Sequence, residues 1–545
     1  MTVTALPPAQ LLPREDDELV AAIIAALAGA AELPLDEPAS RELLHRHAAE
    51  ISDAAREVSE TMRNWATHVP WDTLASLDTE VGTAFFAQRS AAVHLDLAEM
   101  LEPAHLSQVA DIDEEYALDK NSYDFFRPAG PDLLSRTEDF HGWVRARQAT
   151  GTWPYSRTLE QAALTEASIS DESGRQTRGI NFASQDYLSF NTHPAIREAA
   201  GRAMRDYGVH SAGSAMAVGN TSLSRGLEEA LADLVGLPHI TLFPTGWGAG
   251  FGSVVGLVRQ SDHVLVDKLA HACLQQGARA ATRNVRRFDH LSVDSVRAKL
   301  ADIRAHDTRN GILVITDGLF SVDADYPDIV ALQNLCHEFG ATLLVDVAHD
   351  LGAMGPGGTG VIGMQGMLGK VDLVMGAFSK SFASNGGFLA CGSAAVKQTV
   401  KMFGGSHMFS NALSPMQTAI VTESTRIIRS PEGDELRGRL FDAVHALREE
   451  LTGRGLTCMG SPSPIVPLLI GNEKLARTAC RLVFDRGVLA SMAEFPVVPT
   501  GSARFRLQVQ AHHTPEQARI AAGIIQESIA ASRRHLDSAF GSGAR

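Results

Sequence analysis

A lysine set between two apolar runs is the first residue whose position suggests chemistry. It is Lys380, in the stretch VDLVMGAFSKSFASNGGFLACG that spans residues 371–392. Residues 371–375 read as a largely buried strand, and a second apolar run follows Gly386-Gly387. A buried ammonium must be paired or give up its proton, and the free amine is a nucleophile that can form a Schiff base. A surface lysine at a strand end would have the same spacing. Four further stretches bear on the choice, each just after an expected strand, where open α/β sheets place their ligands.

The first is Phe243-Pro244-Thr245-Gly246-Trp247-Gly248, which leads into a helix. Glycines let backbone approach a ligand, and a helix N-terminus offers unpaired N–H groups to a phosphate. A plain strand-to-helix turn is the competing reading. The second is Asp267-Lys268-Leu269-Ala270-His271-Ala272. Its imidazole could stack on a flat heteroaromatic ring or could be a structural histidine. The third, Asp317-Gly318-Leu319-Phe320-Ser321-Val322-Asp323, could be capping chemistry alone. The fourth is Asp346-Val347-Ala348-His349 after an apolar run, followed by Gly352, Gly355, Gly358 and Gly360. An aspartate placed there needs a cationic partner, and a protonated pyridine nitrogen would be one. A Schiff-base lysine, a carboxylate, two histidines and a phosphate cradle together fit pyridoxal 5′-phosphate (PLP).

The elements that must position these groups alternate. Short apolar segments at residues 240–243, 264–266, 311–316, 342–345, 371–375 and 387–390 are separated by amphipathic helical stretches. That rhythm predicts an α/β domain with a mostly parallel sheet. Beyond about residue 430 a long helix (435–453), strand-like segments at 465–470 and 503–509, and a final helix from Pro515 suggest a smaller α+β C-terminal domain. From Asp16 to about Leu118 the pattern is helical with almost no strand signal, so an extra all-α domain is expected there. The expected organisation is an all-α N-terminal extension at 1–118 and a connecting arm with the start of the core at 119–194. A large cofactor domain at 195–428, a small C-terminal domain at 429–535 and a flexible tail at 536–545 complete it.

Composition narrows the partners. The 545-residue chain is 45% hydrophobic and 21% charged with net charge −16, ordinary for a soluble protein and a poor match to nucleic acid or anionic membrane. Its five cysteines form no C-x-x-C pair, which suits a reducing cytoplasm and argues against a zinc site. His45 and His47 are two apart on an expected helix and point to different faces, so no metal is expected there. The apolar run at 19–31 is too short to span a bilayer, and acidic residues precede it, opposite to a signal peptide. A cytoplasmic enzyme without a membrane span is expected. Gly246-Trp247-Gly248-Ala249-Gly250 does not fit G-x-G-x-x-G, and Gly369-Lys370 lacks the rest of a P-loop.

In order along the chain, these stretches resemble the α-oxoamine synthases, fold-type-I PLP enzymes that include 8-amino-7-oxononanoate synthase, 2-amino-3-ketobutyrate CoA ligase, 5-aminolevulinate synthase and serine palmitoyltransferase. Asn181-Phe182-Ala183-Ser184-Gln185-Asp186-Tyr187-Leu188-Ser189 is similar to the family's N-F-x-S-N-D-Y-L-G. Leu227-Glu228, Thr245-Gly246, His271-Ala272, the Asp317–Asp323 stretch, Asp346-x-x-His349, Lys380 with Gly386-Gly387, and Gly501 to Arg506 with Ala511 to Glu516 follow. The resemblance implies that Lys380 carries the cofactor and later moves protons, and that Asp346 pairs with the pyridine nitrogen. It implies His271 stacked on the ring, His349 and Ser321 on the phenolic oxygen side, and Gly246 and Trp247 amides on the phosphate. Arg506 is implied to bind the amino acid carboxylate, and Ser410 to reach the phosphate of the other subunit of a homodimer. No metal is implied.

The sequence departs from the family at three places. Ala377 stands where the family has threonine, so one phosphate hydroxyl is missing and Ser379 is the candidate replacement. Gln185 stands for the substrate-touching asparagine, and Ser224 for a histidine. The reaction implied is decarboxylative condensation of a small amino acid with an acyl thioester, on CoA or an acyl carrier protein, to an α-amino ketone. The alternatives are transamination, retro-aldol cleavage or a non-catalytic partner subunit.

Overall fold

The computed structural model describes residues 114–541. The expected N-terminal helices, up to residue 113, and the final residues 542–545 lie outside that range. In chain order the strands are β1 (Thr158–Leu159), β2 (Glu166–Ser170), β3 (Gln176–Phe182), β4 (His239–Phe243), β5 (His263–Asp267), β6 (Asn284–Phe288), β7 (Ile312–Asp317), β8 (Thr342–Asp346), β9 (Leu373–Ala377), β10 (Gly387–Cys391), β11 (Ile465–Gly471), β12 (Val488–Ala493) and β13 (Ala503–Gln508).

Seven strands form the larger sheet in the order β4-β10-β9-β8-β7-β5-β6. All its pairings are parallel except the two made by β10. Its central strands are buried along nearly their whole length, and mostly apolar, because both faces are covered. Successive residues feed two separate cores, as the two-residue period of a strand requires. Leu265, Val314, Leu343, Val345 and Val374 enter one core; Val264, Val266, Leu313, Ile315, Leu344 and Met375 enter the other. Helices Gly246–Leu257 and Ala272–Ala281 bury their small faces in the second core.

The parallel register matters most for function. Asp317 pairs with Asp346, and Asp346 with Met375, so the C-terminal ends of β7, β8 and β9 come level. The antiparallel β10 starts at that same edge, with Gly387 opposite both Ala377 and Phe243. Gly387 is required there: a Cβ would lie 2.7 Å from the Gly376 carbonyl oxygen and 2.8 Å from the Gly246 Cα.

The smaller sheet has six strands in the order β1-β2-β3-β12-β13-β11. The connecting arm expected at 119–194 therefore supplies half of this sheet. β1 is fully exposed and β2 and β3 are only partly buried, so they lack a continuous apolar pattern to read. Strand β9 runs two residues nearer Lys380 than expected, because Gly376 and Ala377 are small enough to continue the pairing with β10. The last helix, Pro515–Phe540, passes the boundary expected at 535, and Leu536 is buried in the core. No helix among the described residues is long and apolar enough to cross a membrane.

Candidate active site

The level strand ends open into a cavity of about 240 Å³. Lys380, Asp346, His271, His349, Gly246, Trp247 and Ser379 all line it. Seven of the residues singled out in the sequence thus share one space. Gln185 lines an adjoining cavity of about 300 Å³, and Lys380 and Ser379 line that one too. Ser321 and Ser410 are half-buried and line neither cavity.

Each group is placed by local backbone chemistry. Asp346 is the last residue of β8 and is buried; its Oδ1 accepts the Ala348 N–H at 2.9 Å, which turns the chain toward His349. Burial pushes its carboxyl up, while His271 and Lys380 nearby pull it back toward ionisation. Lys380 is pushed the other way. Burial lowers its ammonium, Asp346 opposes this, and Arg506 adds to the lowering. A carboxylate and an amine held close together in a poorly solvated cavity resist charging unless each meets an opposite charge.

His271 caps the helix Ala272–Ala281, and its Nδ1 lies 3.0 Å from the Cys273 thiol. Burial raises the Cys273 pKa, so the thiol keeps its proton and donates to Nδ1. The outer ring nitrogen then carries the hydrogen. Burial also lowers the His271 pKa, which keeps the ring neutral and suited to stacking. His349 is buried, and its Nδ1 lies 2.9 Å from the Tyr187 hydroxyl. Burial first, then the positive Lys380 and Arg506, hold its imidazole well below the usual range. Burial pushes the Tyr187 phenol up to about 12, so it remains a donor.

The phosphate end is built by packing. Thr245 Oγ1 accepts the Gly248 N–H at 2.9 Å and caps the helix Gly246–Leu257. Gly246 sits against Ala377 so closely that a side chain at either position has almost no room to grow. Trp247 lies stacked on Phe251, with ring centroids 4.9 Å apart. Arg506, on β13, keeps two buried nitrogens, Nε and Nη2, without a hydrogen-bond partner. A buried guanidinium left so is an anion site in waiting.

The donor set fits PLP on its own evidence. Asp346 is buried with only a partial offset of its charge from His271 and Lys380, the helix that starts at Gly246 opens on the same cavity, and the half-buried Lys380 lines that cavity with them. One participant, Cys273, escaped the sequence reading, and Asp317 enters it only as part of a turn with capping chemistry. Cys273 gives no signal except its place beside His271. Asp317 is buried next to Asp346, and burial together with that neighbour raises its carboxyl well above the usual range. Only the register of β7 against β8 brings those two carboxyls together.

Comparisons with known proteins agree. The aminotransferase class I and II family pattern matches residues 177–525. Serine palmitoyltransferase of Sphingobacterium spiritivorum is 32% identical over 375 residues, 69% of this chain and 91% of that protein. The 8-amino-7-oxononanoate synthase of Klebsiella pneumoniae is 35% identical over 345 residues, 63% of this chain and 88% of that protein. The 4-hydroxy-2,2′-bipyrrole-5-methanol synthase PigH of Serratia is 29% identical over 451 residues, 81% of this chain and 68% of that protein. Among solved structures, Sphingomonas wittichii serine palmitoyltransferase superposes with a TM-score of 0.68 at 26% identity, covering 74% of this chain and 99% of that one. This chain belongs to the α-oxoamine synthase family, PLP-dependent enzymes of the acyltransferase kind built on the fold-type-I framework.

Proposed function

We propose that this enzyme condenses an amino acid with an acyl thioester, releasing CO2 and a thiol and leaving an α-amino ketone. The balance closes: the α-carbon loses its carboxylate as CO2, gains the acyl carbon, and the thiolate leaves with a proton. The names of relatives point the same way, since one is a serine palmitoyltransferase. The observation that carries the reading is Lys380, which lines both the cofactor cavity and the adjoining one that holds Gln185. One amine therefore faces the cofactor on one side and substrate on the other.

PLP supplies an aldehyde for the lysine and a ring that accepts electrons from the α-carbon. Asp346 would hold the pyridine nitrogen protonated, and His271 would cover one ring face. The His349–Tyr187 pair would address the phenolic oxygen, with Ser321 as the hydroxyl that the resemblance adds there. Gly246 and Trp247 amides would cradle the phosphate, with Ser379 as the hydroxyl where Ala377 offers none. Arg506 Nε and Nη2 would take the amino acid carboxylate as a fork, and Gln185 would contact the substrate. Lys380, once its amine is free, is placed to take the α-proton and to return one to the product.

The active unit is a homodimer in this reading. The bridge between Ser214 and Asn411 draws two loops together, and their neighbourhood exposes Val218 (85%) and Phe409 (86%). Apolar side chains so exposed are suited to cover by a second copy, next to Ser410. The enzyme would act in the cytoplasm on a thioester borne by CoA or a carrier protein. The test is intact-mass detection of product across amino acid and acyl thioester pairs. An α-amino ketone supports the reading; aminated keto acid or aldehyde products would replace it with transamination or retro-aldol chemistry.

A further inference from the structure

His290 lies outside the cavity and is used by no step above. Its ring sits between two carboxyl groups. Nδ1 is 3.0 Å from Asp267 Oδ1, and Nε2 is 3.1 and 3.2 Å from the Asp325 oxygens. The Phe320 ring packs against it edge-on, at 4.4 Å. Asp267 is fully buried, and its oxygens also accept the Leu269 N–H at 2.9 Å and the Leu291 N–H at 3.1 Å. With two backbone N–H groups converging on it, the Asp267 carboxylate is arranged as an acceptor. When both partners accept, both ring nitrogens must donate, which a histidine does only as a cation.

The two carboxylates belong to the two segments that frame the cofactor cavity. Asp267 ends β5 and opens the turn to His271; its carbonyl accepts the Ala270 N–H at 3.0 Å. Asp325 closes the loop after β7, where its carbonyl accepts the Phe320 N–H at 2.9 Å. That loop carries Ser321 and Asp323, and Asp323 is ion-paired with Arg504 on β13, the strand that presents Arg506. We propose that His290 is a positioning residue: its doubly bonded ring ties the Asp267–His271 turn to the Phe320–Asp325 loop and thereby sets where His271 stands over the cofactor.

Burial lowers the His290 pKa, but the hydrogen bonds to Asp267 and Asp325 outweigh it and push it up to about 9. The other charged groups on the flanking turns, Lys268 and Asp289, pair with each other at 3.8 Å at the surface. Because the folded value lies above the ordinary one, the clasp contributes fully below about pH 6.5 and is lost as pH rises through about 9. A neutral ring must turn a lone pair toward one carboxylate.

The proposal rests on the reading of His271 as the residue that covers the ring, so the experiment separates the two. The His290 ring is titrated by NMR in the full chain without PLP, and PLP affinity is measured by fluorescence from about pH 7 to about pH 10. The same is done for His290→Gln, Asp325→Asn and His271→Ala. Wild type should titrate near 9 and lose PLP affinity above that pH. Asp325→Asn keeps a hydrogen-bond acceptor and should stay folded; its His290 titration and its loss of PLP affinity should move to lower pH together. His290→Gln should bind PLP about tenfold more weakly, the scale of one charge-assisted hydrogen bond, without that alkaline loss. A ring titrating at the ordinary value, or variants that bind PLP like wild type at every pH, would overturn the clasp. Unchanged PLP affinity in His271→Ala alone would instead remove the stacking reading.

Discussion

Gly246→Ala is the sharpest perturbation of the phosphate turn. A Cβ built on Gly246 falls inside hard contact with the Ala377 methyl and 3.2 Å from the Ala377 Cα. Carbon atoms rest about 3.5–4.0 Å apart, so the turn must move on the order of 1 Å. Neither partner can rotate away, because both are backbone or the single carbon attached to it. Overpacking of this kind costs about 1–3 kcal/mol, which is roughly 5- to 150-fold in PLP affinity if the bound geometry bears the whole displacement. The assay is PLP titration of the unliganded protein, followed by absorbance and by melting temperature. Ala377→Gly removes the methyl that collides, so the double variant should recover most of the loss while keeping the extra carbon at 246. Wild-type affinity in Gly246→Ala, or a double variant no better than the single, would refute the packing argument and the place of the phosphate with it.

Four further outcomes follow from the site and the chain's layout. Lys380→Ala should lose both the visible absorption of the bound cofactor and turnover, and equal activity in the variant would remove the lysine from the mechanism. Arg506→Ala should raise the amino acid KM by roughly 10- to 100-fold, the cost of a lost charged fork, and leave the KM of the acyl donor in place. Phe409→Asp should shift sedimentation from dimer toward monomer and weaken PLP retention along with it. Removal of residues 1–113 preserves Leu118, which is buried and whose carbonyl accepts the Arg477 Nη1 at 2.5 Å. If the N-terminal region recognises the thioester carrier, this truncation raises KM for the acyl donor alone. An unchanged KM for every donor in a stable dimer would end that idea.

Six strands of the larger sheet were legible because they are largely buried on both faces; β6, with Arg286 and Arg287 exposed, carries no apolar run and was not among the expected strands. Ile312–Asp317 is a mostly apolar run ending in an acid, and β8 repeats the pattern. Ends of parallel strands fall at one edge, so residues just after each run could be expected to meet. Lys380, Asp346, His271, His349, Gly246 and Trp247 do share one cavity. Strands β1–β3 were hidden because exposed faces leave their pattern mixed, and the two-residue β1 is too short to carry one. Cys273 and Asp317 take their meaning from contacts across space, with His271 and with Asp346, that no local spacing encodes. The same holds for the clasp, whose two carboxylates lie on opposite sides of His290 in the chain. Gln185 shares a cavity with Lys380 but not the one that holds Asp346, a distinction that only the folded chain makes.

The central claim is that carbon–carbon bond formation and loss of the carboxylate occur at one site and depend on the thioester. The most direct measurement supplies the enzyme with a carboxyl-labelled amino acid, with and without acyl thioester, and follows labelled CO2 and free thiol together. Equal amounts of CO2 and thiol, appearing only when both substrates are present and absent in Lys380→Ala, are the predicted result. Thiol release with the label retained in the product, or CO2 release that ignores the thioester, would contradict it.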